Sequence, residues 1–222
     1  MSLVTPKTPP EIIRAFTAGL GDFLSPNDPL WSVMLEKFFA LEQFNLDLDE
    51  FNPAGPLDSM VDESGWRFLA ADGDLYGGVH VGSVIEGLPP KVTGFSRDTE
   101  VLTAAESFDD LNTIPQVQQR AYEPRVLRVA WLRFEAFWLK PTPDTYTSPG
   151  VRDESQDLVI PYIGFVERPP KTFGPTKLEL MTPYWVADFL NAVNSRKPTP
   201  PPPPPKSAHV LPRGGFDPKT TP

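Results

Sequence analysis

Tyr-Glu-Pro-Arg-Val-Leu-Arg-Val-Ala-Trp-Leu-Arg-Phe-Glu-Ala-Phe-Trp-Leu-Lys, residues 122–140, is the longest apolar-rich run in the chain. It is dense in β-branched and aromatic residues, contains no glycine, and carries proline near its margins at Pro124 and Pro141. Such side chains fill a pleated, covered surface well, so the run reads as one long central strand with both faces largely buried. The natural partner is 157–166, Asp-Leu-Val-Ile-Pro-Tyr-Ile-Gly-Phe-Val. Pro161 lacks an N–H for the ladder, which makes that partner an edge strand or one with a bulge. Residues 141–156 join the two as a long polar loop.

Upstream, 66–82 reads as a β-hairpin. Asp72-Gly73 is the dipeptide of a two-residue type I′ turn. Setting Ala71 opposite Asp74 places Phe68 opposite Gly77 and Trp66 opposite Val79. One face then collects Trp66, Phe68, Ala70, Leu75, Val79 and Val81 and must meet the core. The other carries Arg67, Leu69, Tyr76, Gly78 and His80, and is the wetter one. A further short strand is expected at 91–95. The glycines here lie inside a hairpin and are not followed by Gly-Lys-Ser/Thr, so they match neither the dinucleotide fingerprint nor the phosphate loop.

Four helical patterns flank these strands. Thr8-Pro9-Pro10-Glu11 supplies a cap, proline in the first turn and an acid three after the cap, followed by Ile12, Ile13, Phe16, Leu20, Phe23 and Leu24 at helical spacing. Asp28-Pro29 restarts a second helix with an inner stripe of Leu30, Trp31, Met34, Phe38 and Leu41. The two together suggest an N-terminal helical hairpin. Asp98 caps a helix carrying Val101, Leu102, Ala105, Phe108 and Leu111. A last helix is expected from Thr182-Pro183, with Trp185, Phe189 and Val193 inward. Residues 42–64 read as an acidic, irregular loop. Asp47-Leu48-Asp49 opens like a calcium loop, but Asn52 stands where glycine is required and Asp58 where glutamate is.

The fold class expected is α+β: a mostly antiparallel sheet built on 66–82 and 125–166, an N-terminal helical hairpin, and further helices packed on one face. Residues 1–195 form that single domain. Residues 196–222 form a Pro-rich extended tail, in which the six consecutive prolines 200–205 span roughly 19 Å as polyproline II at ~3.1 Å per residue. Five cations against Asp217 leave the tail at +4, and from a net charge of −9 the body stands at −13. A stiff spacer followed by a basic, partly apolar peptide is the construction of a tethered docking motif. Pro200, Pro203, Pro205, Leu211, Arg213 and Phe216 are its candidate partner-binding residues.

Chemistry is sparse. With no cysteine, thiolate nucleophiles, disulfides and Cys-based zinc sites are excluded, and His80 and His209 are too few for a multi-histidine metal site. No Gly-x-Ser-x-Gly elbow is present. No metal or cofactor is expected. An acidic body without a basic platform argues against nucleic acid. The start lacks a basic-then-apolar leader and no run has the length and apolarity of a spanning helix, so a cytoplasmic protein without a membrane span is the expectation. The candidate catalytic group is Glu135, inside the apolar run, with Arg133 as its expected partner at i−2, and with Arg128, His80 and an acid such as Asp157 near it. A buried carboxylate must be paired or protonated. The favoured reading is a non-catalytic interaction or assembly protein whose body docks on a protein partner and whose Pro-rich tail reaches across to a second site. The alternative is a hydrolase-like enzyme or a small polar ligand-binding protein built around Glu135.

Overall fold

The 122–140 run does not stay one strand. In the computed structural model, which describes residues 3–83, 88–145, 154–164 and 178–196, it folds into two antiparallel strands, β5 (Tyr122–Val129) and β6 (Phe134–Pro141). Ala130–Leu132 make a 3-10 turn between them, and Arg133 closes it in the left-handed region at φ 47°, ψ 47°. A single strand of that length would reach roughly 60 Å at ~3.3 Å per residue, well outside the usual range. The turn carries no glycine, so nothing local in the composition marks it.

Ahead of this hairpin lie β1 (Phe38–Leu46), β2 (Val61–Asp72), β3 (Leu75–Gly82) and β4 (Val92–Ser96), and after it β7 (Leu158–Ile163) and the two-residue β8 (Tyr184–Trp185). They form one sheet in the order β4-β3-β2-β1-β5-β6-β7-β8. Every neighbouring pair is antiparallel except β1 and β5, which run parallel through Gln43–Asn45 and Val126–Arg128. The sheet is thus two antiparallel meanders, each running outward from a shared parallel centre. Each is preceded by two helices: α1 (Pro10–Leu20) and α2 (Pro29–Glu36), then α3 (Thr99–Asp110) and the short α4 (Pro115–Gln118). The connectivity is that of a repeated helix-helix-four-strand unit, closed by α5 (Val186–Asn194).

Helices cover both faces of the sheet, not one. Ile12, Phe16 and Leu20 of α1 and Leu30, Val33 and Met34 of α2 pack with Ala40, Phe68, Ala70, Val79 and Val81. On the reverse face, Val101 and Ala104 of α3 and Val117 of α4 pack with Leu41, Leu69, Val126, Phe137 and Leu158. Ala40 and Leu41, or Phe68 and Leu69, are neighbours in sequence and so point to opposite faces. The first face is completed over the second meander by α5, through Val186, Phe189, Leu190 and Val193 against Leu127, Ala136 and Trp138. The first two helices rest on the sheet, α1 on β3 and β4 and α2 on β1, β2 and β3.

Caps and registers refine the sequence reading. Asp28 caps α2 through Leu30 N at 2.9 Å, and Asp98 caps α3 through Val101 N at 3.0 Å, as their spacing predicts. Thr8 caps nothing: the N-cap position of α1 is Pro9, with no side-chain bond. The second helix ends at Glu36, and Phe38 and Leu41 belong to β1, where they face opposite sides. A Phe-Phe-Ala-Leu run satisfies helical and strand periods equally, and the paired edge of β2 decides for the strand. The supposed loop 42–64 therefore contains most of β1 and the start of β2. The hairpin register is Phe68 opposite Val79 and Trp66 opposite Val81. This differs by two residues from the expected register, so both faces keep their members. Its turn is Gly73-Asp74, with Gly73 at φ +60°. Pro161 sits where the β6–β7 register shifts, as its missing N–H requires. In the last helix Phe189 and Val193 are buried, but Trp185 precedes it and is exposed. The whole tail, with Pro200, Pro203, Pro205, Leu211, Arg213 and Phe216, lies outside the described residues.

β2 carries one extra residue where Gln43 opposes Gly65 and Phe44 opposes Glu63. Ser64 is the extra residue, and it is stitched to Gln43 twice, accepting from Nε2 at 3.0 Å and donating to the carbonyl at 3.1 Å. Gly65 beside it has φ +130°, and a Cβ there would lie 2.1 Å from the carbonyl oxygen of Val81. That obstacle is backbone and cannot swing aside. Gly65→Ala is expected to cost about 3 kcal/mol or more in urea unfolding. Gly94→Ala, with nothing within 4 Å of its Cβ, is expected to change stability by less than ~1 kcal/mol, which makes it the internal control.

Candidate functional site

The face covered by α3 and α4 is apolar over Leu69, Val126, Phe137 and Ile160, then turns polar where α3 begins. Arg67 of β2 and His80 of β3 are direct cross-strand partners, as are Arg128 of β5 and Glu135 of β6. Gln43 of β1 lies between these pairs, and all five line one open cleft of about 320 Å³ together with Thr93, Gly94 and Ser96 of β4 and Glu100 of α3. The cleft spans both meanders and crosses the parallel seam.

At its floor Glu135 is held from three directions. Arg67 Nη1 donates to its Oε2. The hydroxyl of Tyr162, on β7, donates to the same oxygen at 2.9 Å. Arg128 Nε stands 3.7 Å from Oε1. The Arg67 and Glu135 side chains are only 14% and 13% exposed, whereas Arg128 is 53% exposed. Burial, then the neighbouring Glu135, drives the Tyr162 hydroxyl well above the usual tyrosine range, so it remains a donor. The carboxylate is thereby fixed in place with cationic and neutral donors around it.

His80 forms the far wall. Its Nδ1 lies 2.6 Å from Thr93 Oγ1, and that hydroxyl also reaches the His80 carbonyl at 3.3 Å. If the single hydroxyl proton goes to the carbonyl, Nδ1 carries the imidazole proton and Nε2 is an acceptor. Nε2 is buried and has no hydrogen-bond partner among the described residues. Burial first, then Arg67 and Arg128, push the histidine below its ordinary value, with Glu135 opposing less strongly. His80 is therefore neutral at pH 7.

Of the residues singled out from sequence, Glu135, Arg128 and His80 meet in this cleft. Arg133 does not: it closes the 130–133 turn and has no part in the pair with Glu135. Its place is taken by Arg67, which the hairpin pattern put on the wetter face beside His80 without marking it as a partner. Asp157 is also elsewhere. It is fully buried and accepts from Trp138 Nε1 at 2.8 Å, against the opposite core. Gln43, Thr93 and Tyr162 carry no signal in the sequence that would have nominated them. Comparison of the chain with family models, curated proteins and solved structures returned no match. No helix among the described residues is long and apolar enough to cross a membrane.

Two measurements test this arrangement. The folded-state value of His80 is depressed, so between it and the ordinary value near 6.5 the unfolded chain binds more protons. Stability should then fall as pH drops below about 6.5 and level off above it. His80→Gln is expected to flatten that slope in urea midpoints recorded from pH 5 to 8. Removing one member of the buried pair, by Arg67→Met or Glu135→Leu, is expected to cost about 3 kcal/mol, because the other charge is stranded. The double variant should cost clearly less than the two singles added.

Proposed function

We propose that this chain binds a small polar molecule in the cleft between its two meanders, with Arg67, Arg128 and Glu135 as the recognition groups. The observation that carries this reading is convergence. Gln43, Arg67, His80, Arg128 and Glu135 come from five different strands, and all reach one cavity. Cavities of roughly 300 Å³ upward with a few convergent polar groups are where small ligands bind. A polar cluster that served stability alone would be covered by packing, whereas this one opens to solvent past the first turn of α3.

Binding is favoured over hydrolysis by how the candidate reactive groups are used. The Ser96 hydroxyl is given to Asp98, and Thr93 is engaged by His80, so the cleft presents no free hydroxyl nucleophile among these. Glu135 is fixed by its donors in a geometry suited to orienting a ligand. Docking through the tail is a separate proposal, motivated by the proline spacer and by the +4 tail on a −13 body. Deleting 197–222 tests it: unchanged partner recovery would rule the tail out as a docking element.

For the cleft, the test is a thermal-shift screen of small polar metabolites. A ligand at about 100 times its Kd stabilises by about 2.7 kcal/mol, roughly 5–10 °C for a chain of this size. The shift should vanish in Gly94→Leu, which fills the cavity from a position with open space around its Cβ. A shift that persists in that variant would place the ligand elsewhere.

A further inference from the structure

The inference that follows rests on the cleft being a ligand site and concerns what chemistry it selects. An inventory of donors and acceptors gives the direction. Arginine carries five N–H donors and no acceptor. Arg67 uses Nη1 for Glu135 and Tyr162, and its Nε and Nη2 have no hydrogen bond among the described residues. Among the described residues the Arg128 side chain has a single longer ionic contact, through Nε at 3.7 Å. The hydroxyls of Ser96 and Thr93 are already engaged, and Gln43 Nε2 is given to Ser64. On the acceptor side, Glu135 Oε2 takes two donors at once, which leaves Glu135 Oε1, 3.7 Å from Arg128 Nε, and the buried His80 Nε2 against the several N–H groups of two guanidiniums. The cleft is therefore left with guanidinium N–H groups in excess.

Charge points the same way. Arg67, Arg128 and Glu135 sum to one positive charge, enclosed on one side by the sheet. The response of His80 supports this sign, because the two arginines oppose its protonation more than Glu135 favours it. Glu100 and Asp98 are the opposing acids: Glu100 is exposed on the first turn of α3, where water and salt screen it, and Asp98, which acts on Arg67, is taken up by Val101 N and Ser96 Oγ at the cap of α3. The contrast with the other face is informative. There Arg125 is matched by Glu42 at 3.4 Å and Glu123 at 3.0 Å, and Lys140 by Asp58 at 2.9 Å, so each of these two cations has a carboxylate partner.

We propose that the cleft is an oxyanion site, taking the carboxylate or phosphate group of a small molecule on the unused N–H groups of Arg128 and Arg67. The planar fork of a guanidinium matches two oxygens of such a group at once, which a point charge does not. Glu135 holds Arg67 in position from behind, and Gly94 leaves the space above His80 in which the rest of the ligand lies.

The experiment is an NMR titration of the full chain, following the arginine Nε–Hε and the His80 and Gly94 backbone signals. The probes are inorganic phosphate, acetate and the neutral acetamide, with sodium chloride at matched ionic strength as the blank. Saturable shifts are expected with phosphate or acetate and not with acetamide, and comparison of the two anions decides which oxyanion source the site prefers. Arg128→Met is expected to weaken that binding about tenfold, Arg128→Lys to restore it only in part, and Glu100→Gln to tighten it. Arg128 is half exposed, so these variants should fold, and Gly94→Leu is the independent block. Cleft signals that respond to acetamide and not to the anions would overturn the oxyanion inference while leaving the ligand site standing. No response to either class would remove both. An anion response unchanged in both Arg128→Met and Gly94→Leu would place the anion outside the cleft and overturn the inference.

Discussion

The ladder that joins the two halves of this sheet is three residue pairs long. Gln43–Asn45 of β1 lie parallel to Val126–Arg128 of β5, and every other ladder in the sheet is antiparallel and local to one meander. Because β1 and β5 run the same way while their meanders grow outward in opposite directions, the second unit presents its preceding helices to the reverse face. This is why α1 and α2 cover one side and α3 and α4 the other, and why a fifth helix is needed to finish the first side. The arrangement of layers follows from the direction of one short seam.

The polar cleft follows from the same seam. α3 reaches across from the second unit onto Leu69 and Leu41 of the first, and its N-terminal end stops short of the row containing Arg67, His80, Arg128 and Glu135. Side chains on that row could not be apolar without exposing a large greasy patch, nor could they be isolated charges without heavy desolvation cost. A carboxylate braced by Arg67 and Tyr162, with Arg128 beside it, meets both constraints. It also leaves donors over, and that surplus makes the cleft more than a filler of space.

Some of this was legible in the residues and some was not. Alternation alone assigned every member of the 66–82 hairpin to its correct face, because a register error of two residues leaves parity intact. Pro161 announced its bulge through a missing N–H, and the two aspartate caps announced their helices. The 130–133 turn was hidden because Arg133 takes a left-handed conformation usually left to glycine or asparagine. That concealment propagated. With 122–140 read as one strand, Arg133 sat two residues from Glu135 as an apparent partner, and Arg128 had no route to lie opposite it. β1 was hidden for another reason: Phe38 to Leu41 fits either period, and only the neighbouring strand chooses. Arg67 and Glu135 are 68 positions apart, and no local pattern encodes such a meeting.

That separation also bears on the order in which the molecule assembles. Hairpins such as 66–82 and 122–141 close short loops and form early, whereas a contact across 68 positions must wait for both meanders to exist and for the chain between them to be drawn in. Interactions absent from the rate-limiting encounter act chiefly by slowing escape from the native state. The Arg67–Glu135–Tyr162 knot draws on both meanders, so it exists only once the two halves have met, and it adds to what then holds them together.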